Sequence, residues 1–394
     1  MTSSETYRPQ LDRVQKQATL WGVVGLALCA VFFFRDKDQF FHSYLFAYIY
    51  WLAIPLGSMA ILMLHRLTGG RWGYPLRRIL EANTRTLGLM AVLFIPIWLG
   101  MSHLYPWTNP DEFPDDYLHH FKRVYLSSGF FTVRAIFYFA VLLGLAYILN
   151  KWSAEQDQTG NPRLQHKMGY ISGPAVVLWA FIVSAAAFDW VMSLEPDWYS
   201  TIYGLIFVDV EVLVALSFVL VIFRMLAKRE GPLKDCVRVQ DYNDQGNLML
   251  AFLMLWAYLS FDQFLLIYAT NLRDEIPWYL TRAYTRWGYV ASFLIIFHFF
   301  VPFFLLLQRA IKRKLNTLSR VGAFMIVLTL VDVYWLVTPA FDKTGPCFHP
   351  TDLFAIVGIG GIWVAAFAWQ LKKMPILPVH DPRFEGVLLH EHGD

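Results

Sequence analysis

The run TIYGLIFVDVEVLVALSFVLVIFRM, Thr201–Met225, decides the fold class. About 20 mostly apolar residues of helix cross the hydrocarbon core of a bilayer, and this run carries no charge besides Asp209, Glu211 and the terminal Arg224. Nine more runs of similar length lie near Ala18–Phe34, Phe41–Leu64, Leu87–Leu104, Gly129–Leu149, Ile171–Ser193, Asn247–Asn271, Trp287–Leu307, Val321–Thr338 and Leu353–Leu371. The pattern predicts an all-α integral membrane protein of about ten transmembrane helices. Residues 1–17 read as a leader, 18–371 as the membrane domain and 372–394 as a tail.

Composition supports the same class. Apolar residues fill 57% of the 394 positions and charged residues only 16%, against about 25% charged in a soluble domain. A net charge of +3 gives no electrostatic footprint for a nucleic acid. Cys29, Cys236 and Cys347 are far apart and form no C-x-x-C. That spacing excludes a disulfide framework, a four-thiolate cluster and covalent haem attachment. The first run is followed by Arg35-Asp36-Lys37-Asp38 and has no small-x-small site, and Leu28 precedes Cys29 where a lipoprotein signal wants a small residue. The run is therefore expected to stay as a helix.

Orientation follows from the basic residues. Of 33 Lys and Arg, 24 fall on the side of the N-terminus and 8 on the other, with Arg134 inside the fourth run. The excess places both ends in the cytoplasm. The opposite loops are acidic and aromatic: Asp111, Glu112, Asp115, Asp116, Glu195, Asp197, Asp274 and Glu275 stand among Trp107, Trp198, Tyr199, Trp278 and Tyr279. Trp and Tyr there read as an interfacial belt. The echo of Ala187-Phe188-Asp189 with Trp198-Tyr199 in Ser260-Phe261-Asp262 with Trp278-Tyr279 reads as belt chemistry rather than duplication.

Away from the run ends, seven ionisable residues fall within the runs: Arg134, Asp189, Asp209, Glu211, Asp262, His298 and Asp332. Each costs about 2.5–3.5 kcal/mol or more facing lipid, so they are expected to face the interior and to find partners. At 1.5 Å per residue, Asp209, Glu211, His298 and Asp332 lie roughly 12–17 Å from a membrane face, and the other three nearer the outer face. That layout suits a proton half-channel running from the outer surface to mid-depth. A structural reading stands beside it. Arg134 can neutralise a carboxylate, Asp189 can bond the loop after it, and His298 among Phe297, Phe299 and Phe300 can be a hydrogen-bonded core residue. Asp209 and Glu211 are about 200° apart around a helix, so they point different ways.

Absent motifs narrow the chemistry. A bis-histidine haem needs two deep histidines, and His298 is the only one. There is no phosphate-binding or dinucleotide fingerprint, and Gly358-Ile359-Gly360-Gly361 reads as close helix packing. His119 and His120 belong to an outer loop, and His380, His390 and His392 to a solvated tail. No metal, haem or cluster is expected on this chain.

Phe188-Asp189-Trp190-Val191-Met192-Ser193-Leu194-Glu195-Pro196, continuing as Trp198-Tyr199-Ser200-Thr201-Ile202-Tyr203-Gly204, carries a family resemblance. The stretch resembles the F subunit of bacterial alternative complex III, a quinol:cytochrome c oxidoreductase. That subunit falls within the polysulfide-reductase-type, NrfD-like membrane subunits. Tyr147–Ser153, Glu275–Leu280, Phe297-His298-Phe299 with Pro302-Phe303, and Pro378–Arg383 support it. The resemblance implies two four-helix bundles with flanking helices in a bacterial inner membrane. It further implies a subunit of the respiratory chain without its own redox centre that helps conduct protons. A sister membrane subunit would oxidise quinol and pass electrons to iron–sulfur and haem c subunits, with lipids and a terminal oxidase as further partners. Asp262 departs from the resemblance, which leads one to expect an uncharged residue before Gln263. Arg273-Asp274 likewise replaces a Pro-Glu style of turn.

Two other functions fit the same residues. The chain could bind quinol itself, with Asp189 or Asp262 near Trp190 as proton acceptor. It could also be a stand-alone ion-coupled transporter, although Pro55, Pro96 and Pro302 do not form the matched pair of broken helices such folds use. The orientation is directly testable: a fluorescent protein fused after Asp394 should be bright, and alkaline phosphatase at the same place inactive. The reverse pattern would invert the topology.

Overall fold

Every regular element among the described residues is helical. The computed structural model describes residues 4–109, 111, 124–227, 233 and 237–376. Glu112, Asp115, Asp116, His119, His120, Cys236, the Pro378–Arg383 motif and the tail histidines His380, His390 and His392 lie outside the described residues.

Ten helices are long and apolar enough to cross a membrane. They are α1 (Ser4–Phe33), α2 (Lys37–Thr68), α3 (Arg77–Leu99), α4 (Ser128–Thr159) and α5 (Pro162–Trp190), followed by α6 (Ile202–Leu226), α7 (Val239–Thr270), α8 (Trp287–Leu307), α9 (Leu315–Val337) and α10 (Pro350–Lys372). Local chemistry sets several ends. Asp36 caps α2 by accepting from the Gln39 N–H at 3.0 Å, and Gly69, at φ 69°, ends the helix where an L side chain would be strained. Asn161 caps α5 ahead of Pro162, and the Asp352 carboxylate accepts the His349 N–H at the start of α10.

Two boundaries differ from the hydropathy reading. α1 starts at Ser4, so most of the expected leader continues the helix. α3 starts at Arg77 instead of Leu87, because Arg77, Arg78 and Glu81 lower local hydropathy although all three are buried. α3 is also broken into Arg77–Thr84, Leu87–Leu93 and Ile95–Leu99. Pro96 supplies no N–H to the preceding turn. Neighbours take up backbone groups there: the Tyr44 and Tyr48 hydroxyls of α2 donate to the Leu93 and Met90 carbonyls at 2.9 and 3.0 Å.

Packing sorts the helices into α2–α5, α6–α9, and the flanking pair α1 and α10. The two four-helix bundles meet where α2 and α6 cross. Lipid tails give apolar helices no hydrophobic reason to associate, so close backbone approach and van der Waals contact hold them. A Cβ added at Gly57 of α2 would lie 1.9 Å from the Glu211 carbonyl oxygen of α6. Gly22 and Gly25 of α1 lie against Gly361 and Gly358 of α10 in the same way, so that glycine run is indeed a packing feature. Lys372 contacts Asp12 and thereby puts the two ends of the described chain on one face, the terminal face; the other is the far face.

Gly57→Ala should force α2 and α6 apart and lower the thermal midpoint in detergent by several degrees, as overpacking costs about 1–3 kcal/mol. Gly144→Ala, whose Cβ would meet nothing within 4 Å, should leave it unchanged.

Candidate functional site

Seven intramembrane ionisable groups end up in four places. Arg134 of α4 and Asp189 of α5 form a two-pronged ion pair near the far face, with Nε–Oδ2 at 2.7 Å and Nη2–Oδ1 at 3.0 Å. The Tyr138 hydroxyl donates to the same carboxylate at 2.7 Å. Arg134 also donates to the Tyr125 carbonyl and lies 3.7 Å from that ring's centre. Both charges are buried and nearly every polar atom is used. This site holds α4, α5 and the loop before α4 together.

Asp209, His298 and Asp332 gather in the second bundle, on α6, α8 and α9. The Trp256 indole N–H of α7 donates to Asp332 Oδ2 at 2.9 Å, and its ring lies 4.4 Å from the His298 ring. Asp332 also lies within electrostatic range of Asp209. Asp209 is fully buried, and neither carboxylate oxygen has a hydrogen-bond partner among the described residues. The same holds for both His298 nitrogens and for the Thr329 hydroxyl. Native interiors leave few such groups. His298 sits in a π-helical segment, Leu294–Phe300, ahead of Pro302. Proline cannot return an N–H to the preceding turn, and widened turns of this kind recur at functional sites.

Glu211 stands apart from Asp209, as their spacing requires. Its backbone carbonyl is the α2–α6 contact, and Oε2 is buried without a partner. Asp262 is half-buried on the flank of α7, and its neighbour Gln263 faces the interior instead. Asp189 and Asp262 therefore do not extend the second-bundle group as one line toward the far face. The first is ion-paired in the other bundle, and the second is turned away by the helical period.

Above Asp332, toward the far face, a cavity of about 620 Å³ opens between α7, α8 and α9. The short helix Ile276–Tyr284 roofs it with Trp278, Tyr279 and Arg282. Arg282 is buried, donates to Glu195 Oε2 at 2.9 Å and to the Leu336 carbonyl at 3.1 Å, and stacks on Trp278. Trp278 in turn stacks on Trp198 at 4.7 Å. Trp198, Trp278 and Trp107 are buried, so they are interior contacts rather than a belt facing lipid headgroups. Trp198 and Trp278, one from each echoed pair, thus meet at the far face.

The sequence reading missed a cluster at the terminal face. Arg66, Arg77 and Arg78 converge on the fully buried Glu81, at 3.3, 3.2 and 2.6 Å. Ser153 donates to Glu81 at 2.6 Å, and Arg78 also pairs with Asp157 of α4. Counting these arginines as loop charges hid them; only the i, i+3 and i, i+4 spacing of Glu81 from Arg78 and Arg77 hinted at it. Asn83 and Asn150 continue this polar seam to Ser58 and Thr84, at 2.8 and 2.9 Å.

Among the described residues, no three His, Cys, Asp or Glu side chains are arranged to hold a metal ion. No family model and no curated protein matches the chain.

Glu81→Gln would leave three buried guanidiniums without their shared anion. Breaking a buried pair costs about 3–5 kcal/mol, so this variant should accumulate far less folded protein by fluorescence-detected size exclusion. Asp262→Asn should match the unmodified chain.

Proposed function

We propose that this chain is a membrane subunit of a respiratory quinol:cytochrome c oxidoreductase in a bacterial inner membrane, and that its second bundle carries protons. In this reading both termini are cytoplasmic, and the redox centres belong to sister and peripheral subunits of an alternative complex III. The carrying observation is the Asp209 carboxylate: fully buried in a membrane-spanning bundle, with no hydrogen-bond partner among the described residues and within electrostatic range of Asp332. A permanent structural role is satisfied by a pairing such as that of Asp189 with Arg134. A carboxyl kept unpaired at such expense fits a group that exchanges protons.

His298 lies across Trp256 from Asp332, so α6, α8 and α9 each contribute a proton-binding group to one region. Electron flow elsewhere in the complex would drive transfer by moving these helices or by changing the charge of a neighbouring subunit. The π-helical turn ahead of Pro302 is a natural place for α8 to yield. The resemblance at Phe188–Gly204 supplies the identity of the complex.

The test is proton translocation by the complex in vesicles, with Asp209→Asn, Glu211→Gln and Asp332→Asn. At least one should assemble and oxidise quinol at the normal rate while losing most of the proton release. Normal translocation in all three would make the carboxylates structural and the subunit a scaffold. Co-purification adds an independent check, since a stand-alone transporter would emerge without iron–sulfur or haem c proteins.

A further inference from the structure

Arg309, Lys312, Arg313, Lys314 and Arg320 place five basic residues where α8 passes into α9, and no Asp or Glu occurs between Ile276 and Val331. Lys312 is buried and donates to the Asn247 side chain at 2.6 Å. The other four are exposed, and their side chains have no hydrogen bond or ion pair among the described residues. The start of α7 packs against this connection, but its carboxylates are engaged elsewhere. Asp241 pairs with Arg71 and caps α7, and Asp244 accepts from Gln240. Arg66, Arg77 and Arg78, on the same face, are by contrast closed on Glu81.

The four unpaired cations stand over apolar helix faces. On α8, Phe300, Phe304 and Leu307 are exposed at i, i+4 and i+7 and so share one face. On α9, Ala323 and Val327 follow Arg320 at i+3 and i+7 and are exposed with it. Both helices cross the membrane and pack on each other, so both hydrocarbon-facing surfaces end at the same basic connection. Arg320 lies five residues into α9, roughly 7–8 Å along its axis from Leu315. A soluble anion could neutralise the loop. A cation standing on a lipid-facing stripe calls for an anion that itself sits at headgroup depth.

We propose that the α8–α9 connection holds an anionic phospholipid with two phosphates and several acyl chains. One phosphate lies among Arg309, Arg313 and Lys314, the other at Arg320, and the chains run along the exposed faces of α8 and α9. Lys314 is the residue that precedes α9, so it and Arg320 are roughly 9 Å apart along the helix axis. Two phosphates joined through a glycerol span that separation, and a single one does not. Basic groups at the mouth of a helix pair are the usual recognition element for such headgroups. The assignment needs the chain to be membrane-embedded and is independent of its orientation and of proton transfer through Asp209.

The test is native mass spectrometry of the full-length protein in detergent. Tetraoleoyl diphosphatidylglycerol, dioleoyl phosphatidylglycerol and dioleoyl phosphatidylcholine are added in turn. One diphosphatidylglycerol should bind saturably, at least tenfold tighter than phosphatidylglycerol, and phosphatidylcholine weaker still. The triple variant Arg313→Gln, Lys314→Gln, Arg320→Gln should weaken that binding at least tenfold, and Arg320→Gln alone about threefold. Arg163→Gln with Lys167→Gln removes two exposed charges at the start of α5 and should leave it unchanged. Binding to the unmodified chain is read first, so a variant that fails to fold does not decide the outcome. No saturable binding would overturn the site. Equal affinity for the one-phosphate lipid would overturn the two-phosphate assignment. An equal loss in the α5 variant would reduce the effect to general charge attraction and overturn the site. Displacement of the lipid by inorganic pyrophosphate at matched concentration would assign a soluble anion instead. None of these outcomes bears on proton translocation, so the two proposals fail separately.

Discussion

Lipid offers apolar helices nothing to gain by burying one another from water, so the bundles are held by how closely their backbones meet. The α2–α6 crossing carries that burden. Gly57 leaves no room for even a methyl group against the Glu211 carbonyl. α2 is buried along almost its whole length, with Trp51 and Tyr50 donating to backbone carbonyls of α10 and α9. Moving α2 by the width of a side chain would disturb both bundles and the flanking helices at once.

Within that frame the two bundles treat buried carboxylates differently. In α2–α5 they are paired: Asp189 with Arg134 and the Tyr138 hydroxyl, and Glu81 with three arginines and Ser153. In α6–α9, both carboxylate oxygens of Asp209 and Oε2 of Glu211 have no partner among the described residues. Unsatisfied groups in a low-dielectric interior are costly, and a bundle that needed only to stand would replace them with apolar residues. The first bundle reads as a fixed frame. In the proposed function the second, with its π-helical α8 and its cavity, is the working part.

Much of this was legible in the sequence because hydropathy and the cost of intramembrane charge are local properties. All ten spans were readable, and so were seven of the ionisable residues within them. Partners were not. Arg134 and Asp189 are 55 residues apart, and nothing in either neighbourhood names the other. Neutral polar residues were invisible to a search for charge, which is why Gln263 and Trp256 went unnoticed while the adjacent Asp262 drew attention. The buried Trp198–Trp278 stack shows the limit of the belt rule, since tryptophan at interfacial depth serves an interior contact equally well.

The misplaced start of α3 follows from the same limit and bears on topology. Arg66, Arg77 and Arg78 belong to the basic excess on which the expected orientation rests, yet the folded chain buries them around Glu81. Orientation is decided as the chain inserts, when those side chains still meet water and headgroups, so they count in full at that stage. Once α3 and α4 are in place, Glu81, Asp157 and Ser153 take over the partners that water had supplied. In the proposed orientation the same arginines hold the terminal face in the cytoplasm during insertion, and they lock the first bundle afterwards. Placing their anion on the helix beside two of them, at Glu81, keeps the cluster from waiting on a distant segment to be neutralised.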